Sequence, residues 1–483
     1  MADDKALEIQ ANVTIDGSDV HPTQIKLINA INSLAQAQVT YIHKTSDADE
    51  QATDITASEI FEAMAQRQMK SFNDTPEAQG VRITLADAYE DSSILFVGNT
   101  SAPSYSFSAD SVELTEDVQP DYAALNCLDL SIYDNAQMDI DAIADTDYPS
   151  NIAEFIKKVF ENIIKDGLEK IETSETTGDI TKECGKKQHE INEKVKHFAI
   201  QLFDNSKDTI GWDGVKDQLG AGSIHLLKER IYAALRSNAG GFFNNLMHLA
   251  EEFQCVYVPE LDNIGKLVNK KKLFEDAETL KLHSVSLSAR AGSIGMYPVR
   301  AVAVKCVGSV SADLDAIQDN NDYGVIYPKE LKPGGSILQV LGPQWLPSEH
   351  FTEAEVRPVN DGNDEQKVQQ NTLEPKSAQN VQVAIDANSQ QVEKNEKVVE
   401  QWAETVYYWQ ALGQAYAILN TELNLKAKVG KRYTVEGDSG VLFSGVLNAV
   451  DHTITTGYQS CTAWSNLQFS HVIMGSATIP GIE

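Results

Sequence analysis

The sequence predicts an α+β protein in which two related β-barrel modules flank a mainly helical insertion. Three observations lead there. A nine-residue segment occurs near both ends: Glu90-Asp91-Ser92-Ser93-Ile94-Leu95-Phe96-Val97-Gly98 aligns without a gap with Gly437-Asp438-Ser439-Gly440-Val441-Leu442-Phe443-Ser444-Gly445. Around both copies the apolar residues recur at every second position, the period of a half-buried strand. Between them, over 150–280, the period becomes that of an amphipathic helix.

The elements follow in order. Leu7, Ile9, Ala11, Val13 and Ile15 alternate with Glu8, Gln10, Asn12 and Thr14, and Asp16-Gly17 then turns the chain, so a strand enters a hairpin. Further strands are expected over 38–43, 81–85, 94–97 and 105–114, with a helix over 57–72. An acidic stretch over 134–147, closed by Tyr148-Pro149-Ser150, ends the first module. Ser150 stands as N-cap to a helix whose stripe is Ile152, Phe155, Ile156, Val159, Phe160, Ile163 and Ile164. Helical patterns also cover 186–203, 223–237 and 242–253. Asn238-Ala239-Gly240-Gly241 interrupts the last two, and a short strand falls at 255–258.

Strand character returns with Val285, Leu287 and Ala289, then over 299–307 and 337–341. Residues 348–395 are rich in Gln, Asn, Asp and Glu and read as a loop, or as an extended arm that a partner orders. A helix follows through Val398, Val399, Trp402, Val406, Trp409 and Leu412, continuing to Tyr416 and Leu419. Strands over 432–435, 441–450 and 460–472 close the chain. The expected division is a first β-barrel module at 1–148 and a helical insertion at 149–281. The second module comes in two parts, 282–347 and 428–483, separated by a polar arm and helix at 348–427.

A chain of 483 residues has room for two to four domains. No run reaches the length of a membrane-spanning helix, and Met1-Ala2-Asp3-Asp4-Lys5 lacks the apolar core of a signal peptide. Cys127, Cys184, Cys255, Cys306 and Cys461 are scattered, odd in number and form no CxxC, as expected of reduced thiols in a cytoplasm. The net charge of −32 disfavours nucleic-acid binding and suits a surface that DNA passes without sticking; solubility alone explains it equally well.

Candidate sites fail on chemistry. Gly437-Asp438-Ser439-Gly440 looks like a serine-protease nucleophile loop, but no His stands in the matching context and Val441 replaces a further Gly. Asp319-Asn320-Asn321-Asp322-Tyr323-Gly324 with Glu330 mimics a calcium loop, with Tyr323 at a ligand position and Pro328 breaking the geometry. His189-Glu190-Ile191-Asn192-Glu193 lacks the second His of a zinc helix, and Gly430-Lys431 and Gly265-Lys266 lack the upstream Gly of a phosphate loop. His452 and His471 are single polar strand positions. Trp402, Tyr407, Tyr408, Trp409 and Tyr416 read as a packing or subunit face. No catalytic, cofactor-binding or metal residue is therefore assigned.

The C-terminal segment carries a resemblance. It runs through Leu423-Asn424-Leu425, Val429-Gly430-Lys431-Arg432-Tyr433-Thr434-Val435, Leu442-Phe443-Ser444-Gly445 and Val450-Asp451-His452-Thr453-Ile454 to the Thr462–Val472 strand. It resembles the last barrel of baseplate hub proteins of contractile phage tails, the late-control-D type, which are related to the hub part of secretion-system spike proteins. Val13-Thr14-Ile15-Asp16-Gly17, Val39-Thr40-Tyr41-Ile42, Leu95-Phe96-Val97-Gly98 and Leu128-Asp129-Leu130-Ser131-Ile132-Tyr133 are similar to that family's first barrel.

The resemblance implies a structural role without an enzyme activity or cofactor. It implies a homotrimer, with two barrels per chain forming a pseudo-sixfold ring in the virion baseplate, assembled in the host cytoplasm. The implied partners are tail tube and central spike proteins, with a tape measure protein as a further candidate. With the acidic composition, it also leads us to expect a lumen richer in carboxylates than in Lys and Arg. The alternatives are a spike-hub of a contractile injection or secretion system, a cell-wall hydrolase of the tail tip, and a receptor-binding module.

Overall fold

The computed structural model describes residues 9–44, 62, 79–87, 92–100, 104–107, 111–133, 151–174, 178–212, 221–237, 240–275, 277–282, 285–290, 299–305, 325–327, 336–343, 398–413, 415–438, 440–456 and 461–475. The predicted helix at 57–72 apart from residue 62, the acidic stretch after Tyr133 and the polar arm at 348–395 lie outside them.

The N-terminal part is β1 (Ile9–Ile15), β2 (Ser18–Val20), β3 (Gln24–Ala30), β4 (Gln36–Lys44), β5 (Gln79–Asp87), β6 (Ser92–Thr100), β7 (Ser104–Phe107) and β8 (Ser111–Pro120). Asp16 and Gly17 both take positive φ, the geometry of a two-residue hairpin between β1 and β2. Short 3₁₀ turns at Asp121–Cys127 and Ser131–Tyr133 lead, among the described residues, to the helices α1 (Ile152–Thr173), α2 (Asp179–Asn205), α3 (Ala221–Leu235) and α4 (Phe242–Glu252). The N-cap of α1 is Asn151, not Ser150. Its side chain accepts from Ala153 N at 2.8 Å, one position further in than expected. Gly240 and Gly241 both have positive φ and make the predicted break before α4.

The hairpin β9 (Cys255–Val258) and β10 (Lys266–Asn269) follows, then β11 (Ala277–Lys281), β12 (Val285–Arg290), β13 (Val299–Lys305), β14 (Val325–Tyr327) and β15 (Ser336–Leu341). After α5 (398–412) come β16 (Tyr416–Glu422), β17 (Arg432–Gly437), β18 (Gly440–Thr456) and β19 (Cys461–Met474). The predicted continuation of α5 to Leu419 is corrected: the helix stops before Gly413. Ala417, Leu419 and Thr421 then alternate with exposed or half-exposed neighbours as a strand.

The two ends of the chain share one sheet. Its order is β12-β16-β19-β18-β3-β4-β8-β6-β5-β1-β2, with β17 beside β18, β11 beside β17 and β7 beside β8. The seam is β3 against β18, antiparallel from Ala449↔Ala30 to Thr455↔Gln24. The expected pair of barrels is replaced, among the described residues, by this single sheet with no closed barrel. The physical reason lies in β18, whose 17 residues run past their own hairpin and take up the β3 edge. The sheet's cores also interpenetrate, because Leu423, Leu425 and Ile454 pack among Val13, Ile25, Val39, Ile83 and Phe96.

β13, β14 and β15 form a separate small sheet, and Val302 and Val304 pack in the helical core with α1–α5. Among the described residues of 282–347 only β12 joins the C-terminal strands, and β11, which falls inside the expected insertion, joins β17.

The repeated segments occupy matching positions. Each opens the second strand of a hairpin, Asp87↔Ser92 in one and Gly437↔Gly440 in the other. Phe96 pairs with Ile83 and Phe443 with Val435, and both phenyl rings are fully buried. Each trailing Gly lies where another strand comes close. A Cβ on Gly98 would overlap the Gln119 carbonyl oxygen, and one on Gly445 would lie 3.0 Å from Val472 Cγ2. Beyond the hairpins the modules differ, since β1 runs antiparallel to β5 and β11 parallel to β17. Gly98→Ala is expected to cost about 2–3 kcal/mol, because β8 backbone must move. Gly445→Ala should cost less, because a side chain can yield. Urea denaturation of both variants measures the difference.

Candidate functional site

One face of the joined sheet is lined largely by polar residues. Register places Asn420, Asn466, Asp451, Ile28 and Gln36 in one row across β16, β19, β18, β3 and β4. The next row is Glu422, Trp464, Thr453, Lys26, Gln38 and Asp117, reaching β8. A third contains Thr462, Thr455, Gln24, Thr40 and Thr115. Strand period two sends Leu419, Leu467, Val450, Leu27, Ala37 and Val118 to the opposite, buried face.

The polar side chains are tied to one another. Asn466 Nδ2 donates to Asn420 Oδ1 at 2.6 Å, and Gln468 Nε2 to Asn466 Oδ1 at 3.1 Å. Gln38 Nε2 donates to Asp117 Oδ1 at 2.9 Å, and the Thr40 and Thr115 hydroxyls are 3.2 Å apart. Gln24 Nε2 reaches Thr455 Oγ1 across the seam at 3.4 Å, and Lys26 stands 3.7 Å from Asp451. Over these six strands, among the described side chains, register puts Glu113, Asp117, Asp451 and Glu422 on the face with Lys26, more carboxylates than ammonium groups. Most of the surface is uncharged amide and hydroxyl.

Beneath the face lie polar groups that serve the fold. His452 is buried, with Nδ1 2.8 Å from Ser465 Oγ, and burial pushes its pKa down to about 4. Thr100 Oγ1 donates to the buried Glu116 at 2.6 Å.

The sequence candidates divide as follows. Asp438 sits in the β17–β18 turn, and Ser439 lies outside the described residues. The Asp319–Glu330 loop also lies outside them. Among the described residues no three His, Cys, Asp or Glu side chains come together as a metal group would require. His189 Nδ1 is 2.8 Å from the Tyr133 hydroxyl, an anchoring contact for the 3₁₀ turn. Gly265 and Gly430 take positive φ in turns packed on Val258.

The aromatic group is split. Trp402 Nε1 donates to Glu252 O at 3.1 Å, Tyr408 and Trp409 pack inward, and Tyr416 is exposed at the edge of the polar face. Trp464, 40% exposed near the middle of that face, was not anticipated; its signal was the lone large ring in the polar alternation after Cys461.

No family model matches the sequence, and no curated protein matches it. Solved structures to which the chain is similar are phage tail proteins and a secretion-system component. A tail protein from Neisseria meningitidis is 8% identical, with a TM-score of 0.43, over 96% of each chain. A prophage tail protein from Shewanella oneidensis is 9% identical, with a TM-score of 0.40, covering 97% of this chain and 98% of that one. A type VI secretion component from E. coli, described as similar to tail proteins of bacteriophage T4, is 8% identical with a TM-score of 0.29, over 96% of this chain and 75% of its own. At scores this low the likeness carries no functional weight. No described helix is long and apolar enough to cross a membrane.

Proposed function

We propose that the chain is a structural baseplate hub of a phage tail, acting as a trimer whose six β modules form a pseudo-sixfold ring between tail tube and central spike. The observation that carries the reading is the matching F-x-G hairpin from each end of one chain, built into a common sheet with one polar face. Two similar but non-identical modules per chain let three chains present six near-equivalent positions on one side and threefold symmetry on the other. In this reading the modules are 9–133 and a C-terminal unit of β11, β12 and β16–β19, with the helical insertion, β13–β15 and α5 on the outside.

The polar face lines the lumen. Amides, hydroxyls and a small carboxylate excess offer a passing polyanion few of the ammonium contacts that would trade counterions for grip. The partners are further copies of the chain, tube and spike proteins and, as a candidate, a tape measure protein. A spike-hub of a contractile injection or secretion system would use the same ring, and the hairpin evidence favours neither. The work is mechanical, without a catalytic centre. Native mass measurement with symmetry analysis of the assembled particle is expected to give three copies around a pseudo-sixfold pore. A monomer, or a true hexamer, overturns the proposal.

A further inference from the structure

The helical insertion and the C-terminal strands meet at a buried group of rings and charges for which the ring has no use. Lys270, just after β10, is 3% exposed on its side chain; its ammonium is hydrogen-bonded to Glu251 and lies 3.4 Å from Gln254 Oε1. The same ammonium is 5.1 Å from the centre of the Trp409 ring on α5, a cation–π contact. His471 of β19 also lies against that indole, ring centres 4.1 Å apart, with Phe274 edge-on at 5.2 Å. His471 Nε2 is 3.1 Å from Trp409 O and Nδ1 is 2.9 Å from Ser470 Oγ. In the neutral ring the first donates and the second accepts. His471 holds a φ of +54°, uncommon for a residue with a Cβ, and a Cβ on Gly413 would come within 3.3 Å of its Nε2.

Among the described residues Lys270 is the charged group that bears on this imidazole, and the charges on the adjoining segments are mostly cationic. Lys270 faces it; Lys271 is paired with Glu404 at 2.9 Å, Lys272 is bound to Asp208 O, and Arg432 Nη1 donates to Phe274 O at 2.9 Å. Glu251 already holds Lys270 and its side chain is 58% exposed. An imidazolium would be a second cation on the Trp409 ring, out of water and with no carboxylate of its own.

We propose that Lys270, Trp409 and His471 form an acid-sensitive clasp: protonation of His471 frees α5 and the adjoining insertion from the C-terminal strands, while the joined sheet stays folded. Burial and Lys270 hold the closed-state imidazole near pKa 4, against 6.5 in water. The open form therefore gains about tenfold per pH unit between those limits. The clasp is independent of the ring reading and stands whatever the oligomeric state.

Amide hydrogen exchange of the full chain, corrected for the intrinsic rate, tests it between about pH 7 and about pH 4.5. Peptides over 398–413 and 266–275 are expected to lose protection about tenfold per unit below pH 6.5 through His471, while peptides from β3 and β4, paired with the His452 strand, are expected to keep their own pH dependence in His471→Gln. His471→Gln flattens the dependence, and His452→Gln leaves it as it was. Lys270→Met removes the like charge, raises the closed-state pKa and ends the dependence at a higher pH. Unchanged protection in the wild type, or the same slope in His471→Gln, overturns the clasp. If His471→Gln does not fold, an unshifted limit in Lys270→Met overturns it.

Discussion

Asn192→Ala is expected to destabilise the protein by about 3 kcal/mol, near the upper end for a single substitution. Asn192 is fully buried on α2 and holds the segment that leaves the first β module. Its Oδ1 accepts from Asp129 N at 3.0 Å and from Gln188 Nε2 at 3.1 Å. Its Nδ2 donates to Asp129 O at 2.7 Å and to the Tyr133 hydroxyl at 3.1 Å. Truncation leaves an orphaned backbone N–H and C=O in the interior, each costing about 1–3 kcal/mol before partial relief by water. Tyr133 is itself locked, since a Cβ on Gly167 of α1 would overlap its ring, and burial pushes its hydroxyl pKa up to about 12. Asn192→Asp tests the polarity of the site, because a carboxylate keeps the acceptor and loses the donor. Urea denaturation should rank the wild type above Asp and Asp at or above Ala. An Ala variant within about 0.5 kcal/mol of wild type would show that the network contributes nothing.

The second large effect is acid destabilisation through His452. Its folded pKa of about 4 lies below the 6.5 of an imidazole in water. The unfolded chain therefore takes up a proton, as pH falls through 6.5, that the folded chain refuses. Stability is lost progressively from pH 6.5 down to about 4, by roughly 3 kcal/mol for this one group. His452→Gln keeps an acceptor for Ser465 without a titrating group, so its stability near pH 4 should fall less than that of the wild type by about that amount. Denaturant midpoints at the two pH values measure it, and equal acid losses in both proteins would rule it out. His471 contributes with the same sign wherever its clasp remains closed.

Much of the local structure was legible because it is carried by period. The alternation over 9–15, the short apolar run at 255–258 and the stripe from Ile152 to Ile164 each marked its element. Two errors came from neighbouring signals of equal strength. Ser150 and Asn151 are both capping residues, and geometry chose the second. Tyr416 and Leu419 continue the stripe of α5, and Leu419 fits a strand face equally well, with Gly413 the sole hint of the break. What could not be read was pairing between distant strands. Nothing in Gln24–Ala30 announces Ala449–Thr455 as its partner, because the backbone hydrogen bonds that join them are the same for any sequence. The polar face suffered the same fate: each alternation showed a wet side, but only the seam shows that the wet sides are continuous.

The seam has a consequence for how the molecule comes into being. β3 is among the first strands to leave the ribosome, and β18 follows more than 400 residues later. Until then β3 keeps an open edge, and the pocket that Leu423, Leu425 and Ile454 will fill stays wet. A nascent or truncated chain therefore shows an unpaired strand and an unfilled interior for most of its synthesis, the condition under which strands find wrong neighbours. Closing so long a loop is slow rather than ruinous, since the entropic cost grows only with the logarithm of its length. Completion of the N-terminal strands waits on translation of the last ones, so a chain stopped short has no finished N-terminal half.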